Sequence, residues 1–203
     1  MAADESQARY VEGITRLLAA GEQVRAVAQV REGGGLTPAP PPKPSTPPAA
    51  GGPGFLGVLL NVLSPNITFG RADNAVDWLF FGVGGRGEPG SQASVLHHAL
   101  TVATKGSGLR TLVLGVTDQR LLLGATAPVG LLSRSAEDER AQADIELLGS
   151  VPRTAVTARF GRYRLNWKRL RIDFADGSWL SFHVPLADSG RPLREVAAAL
   201  SAG

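Results

Sequence analysis

The stretch 115-GVTDQRLLLG-124 decides the fold of this chain, because two apolar runs meet there at a short polar break. The alternating apolar positions before and after the break are Leu112, Leu114, Val116, Leu121 and Leu123. This period of two predicts a pair of strands that share one core. Thr and Asp side chains stabilise turns by bonding nearby backbone N–H groups, so 117-TDQR-120 is predicted to be a hairpin corner rather than an acid–base site. We expect Arg120 to pair with Asp118 or to lie over the sheet edge.

Further strands and two terminal helices are predicted around this corner. The segment 22-EQVRAVAQVRE-32 alternates as a half-buried strand does, and the turn 175-ADG-177 favours a tight hairpin. Strands are expected near 111–117, 120–126, 145–152, 154–162, 166–174 and 178–185. Helical stripes are formed by Tyr10, Ile14, Leu17 and Leu18 before Gly21, and by Leu193, Val196, Ala197 and Leu200 after Pro192.

The domain organisation is interrupted between the first two of these strands. Residues 1–32 are predicted to hold the N-terminal helix and first strand, and residues 33–54 a Pro/Gly-rich linker with eight prolines after Thr37. Residues 55–109 are predicted to be a helical insertion, and residues 110–203 the rest of the β structure. Candidate apolar docking residues of the insertion are Phe55, Leu59, Trp78 and Phe81. A satellite core and a membrane-surface segment are both open interpretations of them.

Composition excludes several functional classes. The chain of 203 residues has no cysteine, so thiolate metal sites, cysteine nucleophiles and disulfides are absent. A net charge of +3 over this length does not indicate a nucleic-acid binder. The polar start of the sequence predicts no signal peptide, and no apolar run reaches the ~20 residues of a membrane helix. A cytoplasmic location is expected, with membrane association left open.

Three motifs suggest chemistry but lack its context. Residues 82–87, GVGGRG, fit GxGxxG, but 88-EPG-90 separates them from the next predicted helix, so a flexible loop is expected rather than a nucleotide site. His97 and His98 are adjacent on that helix and are predicted to be solvated, not zinc ligands. A hydrolytic set of Ser181, His183 and Asp173 remains a minority alternative, because no nucleophile elbow accompanies it.

A basic strand face is the main candidate site. In the last three strands the even positions are apolar, which places the odd positions together: Arg159, Arg169, Arg171, Trp179 and His183. From Arg153 to Arg171 there are seven basic residues and no acidic one. Clustered guanidinium groups beside an aromatic ring suit phosphates, anionic lipid or acidic protein segments. The alternative is a solvated face neutralised by the acidic segment 137–146.

These segments resemble one family. The stretches 112-LVLGVTDQRLLLG-124, 147-LLGSVPRTAVTARFGR-162, 170-LRIDFADGSWLSFHV-184 and 194-REVAAAL-200 look like the bacterial pleckstrin-homology-like domains, which show a strand ending in Thr-(Asp/Asn)-x-Arg. Residues 21-GEQV-24 before the first strand also fit. The resemblance covers residues 21–32 and 110–202. It implies a seven-stranded, bent antiparallel barrel or sandwich whose open end is plugged by a C-terminal helix.

The family is a recognition scaffold, so the resemblance implies a non-catalytic adaptor. The basic loop that binds lipid headgroups in eukaryotic relatives is replaced here by the proline-rich insertion. We therefore expect a mainly β (α+β) protein that binds another protein or acts close to a membrane, without cofactor or metal. Peripheral binding to anionic membranes and hydrolase activity are the alternatives, and self-association is left open.

Overall fold

The fold is mixed α and β, and its largest part is one curled sheet that forms a half-barrel. The computed structural model describes residues 2–33, 36–37, 84–105, 110–128, 143–163, 166–184 and 189–202. In chain order the elements are α1 (Ala2–Thr15), β1 (Val24–Glu32), β2 (Leu36–Thr37), β3 (Gly85–Arg86), α2 (Gln92–Thr104), β4 (Leu112–Thr117), β5 (Arg120–Thr126), β6 (Ile145–Pro152), β7 (Val156–Tyr163), β8 (Asn166–Phe174), β9 (Trp179–His183) and α3 (Arg191–Ser201). None of these helices is long and apolar enough to span a membrane.

The sheet consists of two antiparallel ribbons that meet at one end of β1. One ribbon runs β1–β4–β5–β6, and the other runs β7–β8–β9. They join where Arg31 and Glu32 pair with His183 and Phe182. The six strands from β4 to β9 lie where the alternating pattern predicts them.

The C-terminal helix α3 crosses the open side of the curled sheet and contacts β1, β4, β7 and β8. Its predicted stripe is confirmed, since the buried residues are Leu193, Val196, Ala197 and Leu200. These side chains pack on strand residues such as Leu170, Ile172 and Phe182, each at most 2% exposed. This main core is enclosed by the sheet on one side and by α3 on the other.

A second apolar cluster covers the outer face of the first ribbon. It joins α1 to the strands through Tyr10, Ile14, Val27, Val113, Leu122 and Ile145. The first strand, β1, is predicted to be buried on one face only. That prediction is wrong for the middle of the strand, because α1 covers the face that the alternation predicts to be exposed. The close approach requires Gly115, since a Cβ atom there would lie 2.9 Å from a methyl carbon of Ile14.

The 117–120 corner is held by a network of side-chain hydrogen bonds. The Thr117 hydroxyl donates to Glu22 Oε1 at 2.6 Å and accepts from the N–H groups of Gln119 and Arg120 at 3.1 and 2.9 Å. Arg120 donates through Nε and Nη2 to the two oxygens of Glu22, both at 2.9 Å. Its Nη2 also reaches the Leu17 carbonyl at 3.1 Å. The Glu22 side chain is fully buried in these contacts.

The corner is a hairpin turn, as predicted, but its partners are different from those expected. Arg120 pairs with Glu22 and not with Asp118, so that prediction was wrong. Asp118 Oδ1 instead accepts from the Gln23 N–H at 2.9 Å, and the Asp118 N–H donates to the Gln23 carbonyl at 3.1 Å. The turn is thus fastened to the chain just before β1.

Parts of the predicted linker and insertion belong to the main sheet. Strand β2 pairs in parallel with β3, and β3 pairs antiparallel with β9. The prediction of a flexible loop at 82–87 is wrong for Gly85–Arg86, which form β3. Helix α2 buries Ala93, Leu96 and Leu100 in the main core. Phe55, Leu59, Trp78 and Phe81 lie outside the described residues.

The predicted hairpin at 175–177 is present and has an additional role. Gly177 adopts φ 81°, which favours glycine, and its N–H bonds to the Phe174 carbonyl at 3.0 Å. Asp176 accepts from the Gln92 N–H at 2.6 Å, and Ser178 Oγ accepts from the Ala93 N–H at 3.1 Å. The turn therefore satisfies free N–H groups at the start of α2 and fixes that helix to the sheet.

Acid should weaken the fold through Glu22. Hydrogen bonds from Arg120 hold the pKa of Glu22 at about 2, against the opposing effect of burial, and bonds from Thr117 and Ala19 add to the lowering. A carboxylate whose pKa falls on folding stabilises the fold above its unfolded pKa of 4.5, and that contribution is lost as the pH falls towards 2. We expect Glu22→Gln to reduce the fall in the urea-derived free energy of unfolding between pH 5 and pH 2.5.

Glu146→Gln is the matched control, because Glu146 is 62% exposed and pairs with Arg110 at the surface. This variant should keep the full acid dependence. An acid dependence in Glu22→Gln equal to that of the unchanged chain would contradict the role of Glu22.

Asp118→Ala should lower the free energy of unfolding by about 1 kcal/mol, because it removes one exposed bond to the Gln23 N–H. Arg120→Ala should cost clearly more, since it leaves the buried Glu22 carboxylate without its main partner. Chemical unfolding at pH 7 measures both. Equal losses would argue against the Glu22–Arg120 pair as the main fastening of the corner.

Candidate functional site

An arginine-lined groove lies on the outer face of β7, β8 and β9. The cross-strand register aligns Arg159 with Arg171 and Ser181, and Asp173 with Trp179. Successive strand residues point to opposite faces, so the odd-numbered positions of these strands share one face, opposite the apolar even positions. The groove has a volume of about 360 Å³ and is lined by Thr37, Arg86, Arg159, Phe160, Gly161, Arg162, Arg169, Arg171 and Trp179.

Trp179 organises the floor of the groove. The guanidinium carbon of Arg171 lies 4.3 Å from the centre of the indole ring, and that of Arg169 lies 5.5 Å from it. Both distances are within the range of cation–π attraction. Arg169 is only 6% exposed, whereas the Arg171 side chain is 40% exposed. The ring therefore holds one buried and one accessible guanidinium side by side.

The carboxylate of Asp173, which lies near the 175–177 hairpin, restrains two of the arginines. Asp173 Oδ1 accepts from Arg171 Nε at 2.8 Å and from its Nη2. Asp173 Oδ2 lies 3.6 Å from Arg159 Nε, but the Arg159 side chain remains 76% exposed. Among the described residues that line the groove there are five arginines and no carboxylate. Anions can therefore approach a surface rich in guanidinium groups.

Two lining arginines were missed by sequence reasoning. Arg86 lies on β3, opposite Trp179, in the glycine-rich segment expected to be a flexible loop. Arg162 has an even number, but the β7–β8 register shifts between Gly161 and Tyr163. Arg162 lies at this register shift and lines the groove. Gly161 inside a predicted strand was the available signal, because a glycine there often marks a bulge.

His183 does not belong to the groove, although the alternation placed it on this face. It is 9% exposed and pairs in register with Arg169 and with Arg31 of β1, where the two ribbons join. Packing at this junction removes it from the lining residues. Arg159, Arg169, Arg171 and Trp179 remain together.

The residues of the hydrolytic alternative are not brought together. Asp173 is level with Trp179, whereas His183 is level with Arg169, four residues further along β8. That separation is about 13 Å along a strand. Ser181 is 1% exposed, and its hydroxyl donates to the Gly84 carbonyl at 3.0 Å. Ser181 therefore anchors β9 to the segment before β3.

His97 and His98 have different environments. His98 is exposed, as expected, but Nδ1 of His97 pairs with Glu32 of β1, so the prediction of a solvated His97 is wrong. Burial raises the pKa of Glu32, and the contact with His97 partly opposes that rise. The pair links α2 to β1 away from the groove. Within the part of the chain that the structure describes, no group of three His, Asp or Glu side chains could hold a metal.

The alternative interpretation is that acidic residues of the 137–146 segment neutralise the basic strand face. None of the described residues of that segment supports it. Glu146 pairs with Arg110 at 2.6 Å, on the ribbon that does not carry the groove. Residues 137–142 lie outside the described ranges. Asp173, rather than this segment, supplies the carboxylate that contacts Arg159 and Arg171.

Comparison of the chain with protein-family models, curated proteins and solved structures finds no match. The kind of ligand that the groove can bind is therefore inferred from its own side chains. Each guanidinium group donates charge-assisted hydrogen bonds in a planar fork, which suits carboxylate and phosphate oxygens.

Asp173→Asn should strengthen anion binding, because it removes the charge that restrains Arg171 and Arg159. We expect affinity for heparin, used as a generic polyanion, to rise about two- to fivefold. Glu195→Gln is the matched control, since it removes a carboxylate that pairs with Arg191 on α3. Surface plasmon resonance at fixed ionic strength measures the change. Equal effects of both variants would contradict a specific restraint by Asp173.

Proposed function

We propose that this chain is a non-catalytic binding module that holds an anionic part of a partner in the arginine groove. The observation that carries the proposal is the packing of Arg171 and Arg169 against Trp179 in a groove lined by three further arginines. A cation held by an aromatic ring keeps its charge and its N–H donors, so it is oriented before a ligand arrives. This pre-orientation makes anion binding more favourable than it would be on a charged face whose side chains are only solvated.

The architecture supports a recognition role. The seven longer strands, the order of the two ribbons and the helix α3 on the open side agree with what the resemblance to pleckstrin-homology-like domains implies. We propose that the fold is of this kind. The proposal of a non-catalytic function rests on the groove, where the accessible groups are positively charged guanidiniums and an indole.

The partner we favour is an acidic segment of another protein. The lining spans three strands and β3, and it combines charges with the aromatic surface of Trp179. A segment with carboxylates and apolar side chains would match both features. Peripheral binding to an anionic membrane is a second candidate, favoured by the 76% exposure of Arg159.

The charge of the groove can be tested with a matched pair of double variants. Arg159→Ala with Arg162→Ala removes two exposed groove charges, whereas Arg16→Ala with Arg191→Ala removes two exposed charges from the turn after α1 and from α3. Fluorescence anisotropy with labelled polyglutamate reports affinity. We expect the groove variant to bind about tenfold or more weakly and the control to change less than about threefold, since several charge-assisted contacts are lost only in the first.

Sedimentation with phosphatidylserine vesicles separates the two partner classes. Binding of polyglutamate without sedimentation at low salt supports the acidic protein segment. Sedimentation that depends on Arg159 and Arg162, without polyglutamate binding, supports the membrane. Equal losses in the groove and control variants would contradict the groove as the binding surface.

A further inference from the structure

The outer edge of β7 borders the groove and pairs with no further strand among the described residues. In the described part of the chain β7 pairs with β8 alone, whereas β8 and β9 each have partners on both sides. An unpaired strand edge presents a row of N–H and C=O groups that can bond a further strand. The edge lies within reach of Arg159, which projects into the groove from the same strand.

The backbone groups that point outward can be identified from the register. The Ala175 N–H donates to the Ala155 carbonyl at 2.9 Å, so this pair is hydrogen-bonded across the ribbon. Hydrogen-bonded and non-bonded pairs alternate along an antiparallel ladder. Thr157 and Arg159 therefore bond inward to β8. The N–H and C=O groups of Ala158 and Phe160 point to the outer edge, whereas the Val156 N–H donates to the Arg153 carbonyl.

The two faces of this edge differ in chemistry. On the groove side lie the exposed guanidinium groups of Arg159 and Arg162. On the core side, Ala158 and Phe160 pack against the core but are only half-buried, although they are apolar. Arg194 of α3 lies over the Phe160 ring at 5.4 Å. A strand placed here would thus meet positive charge on one face and apolar surface on the other.

We propose that an extended segment of a partner protein adds to β7 as an antiparallel strand, with acidic residues alternating with apolar ones. The acidic side chains face Arg159 and Arg162, and the apolar ones cover Ala158 and Phe160. Backbone bonds supply affinity in this mode, and alternate side chains supply specificity. The inference rests on the proposed function, because it takes the groove to be the site of the anionic partner.

Charge favours this occupant over the other candidates. A second copy paired edge to edge through β7 would bring the Arg159 and Arg162 groups of both copies together, and like charges across a ladder are destabilising. A membrane surface offers anions but no strand of N–H and C=O groups. An acidic polypeptide satisfies both the charges and the open backbone groups.

Two methylated peptides test the strand addition directly. The probe is a labelled peptide of four Glu-Val repeats, bound to the full chain. In an antiparallel addition the residues opposite Ala158 and Phe160 are valines, and their N–H groups point at β7. N-methylation of two central valines should weaken binding about tenfold or more, because it removes edge bonds without changing the charge. N-methylation of two central glutamates, whose N–H groups point away, should change affinity less than about threefold.

A variant of the chain gives a second, independent measurement. Ala158→Pro removes one outward N–H and keeps every arginine, and proline is tolerated on edge strands. Ala158→Pro should weaken binding of the Glu-Val peptide about fivefold. Ala158→Ser, which keeps the N–H group, should leave that binding unchanged. The thermal unfolding midpoint of both variants checks folding, and the peptide pair remains decisive if Ala158→Pro fails to fold.

The outcomes distinguish this inference from the proposed function. Binding that is lost in Arg159→Ala with Arg162→Ala but is equally affected by both methylated peptides would overturn strand addition and leave the anion groove standing. No binding of the Glu-Val peptide, of polyglutamate or of phosphatidylserine vesicles would overturn both. Binding of phosphatidylserine vesicles alone would overturn the polypeptide partner in favour of the membrane.

Discussion

The buried pair of Glu22 and Arg120 is the interaction on which the arrangement of this protein depends. Glu22 precedes β1 and Arg120 begins β5, so their two hydrogen bonds join residues 98 positions apart. Thr117 and the Leu17 carbonyl complete the site, which fastens the end of α1, the start of β1 and the β4–β5 corner to one another. A buried carboxylate is tolerated because nearly every lone pair has a donor. Once this corner is closed, α1 can cover the first ribbon and β1 can continue to its junction with β9.

The two ribbons then serve different purposes. The first has apolar surface on both faces, with α1 outside and the main core inside, so it contributes mainly stability. The second packs its even positions on α3 and the core, and it leaves the odd-numbered Arg159 and Arg171 accessible. Trp179 and Asp173 hold the guanidinium groups of that outer face in place. Among the described strands β7 pairs only with β8, so its outer edge lies beside the same charged surface.

Much of this architecture could be predicted from the sequence, because alternation and turn chemistry act locally. The strands around the 117–120 corner, the Asp176–Gly177 turn and the α3 stripe follow from period and residue type. The long-range partners did not follow: nothing local links Glu22 with Arg120 or Glu32 with His97. Arg86 and Arg162 were missed because their positions depend on a two-residue strand and a register shift. His183 lies level with Arg169 at the ribbon junction and is 9% exposed, and alternation alone does not show that packing.

The central claim is that anionic partners contact the groove at Trp179. It can be tested most directly by nitrogen-15 NMR of the full chain during titration with the Glu-Val peptide, with the Trp179 indole N–H resonance assigned through Trp179→Phe. Since Arg169 and Arg171 lie against this ring, the account predicts that its indole resonance shifts progressively and saturates with the peptide. Saturable binding that leaves this resonance unmoved, while resonances on α1 or α2 shift, would contradict the account.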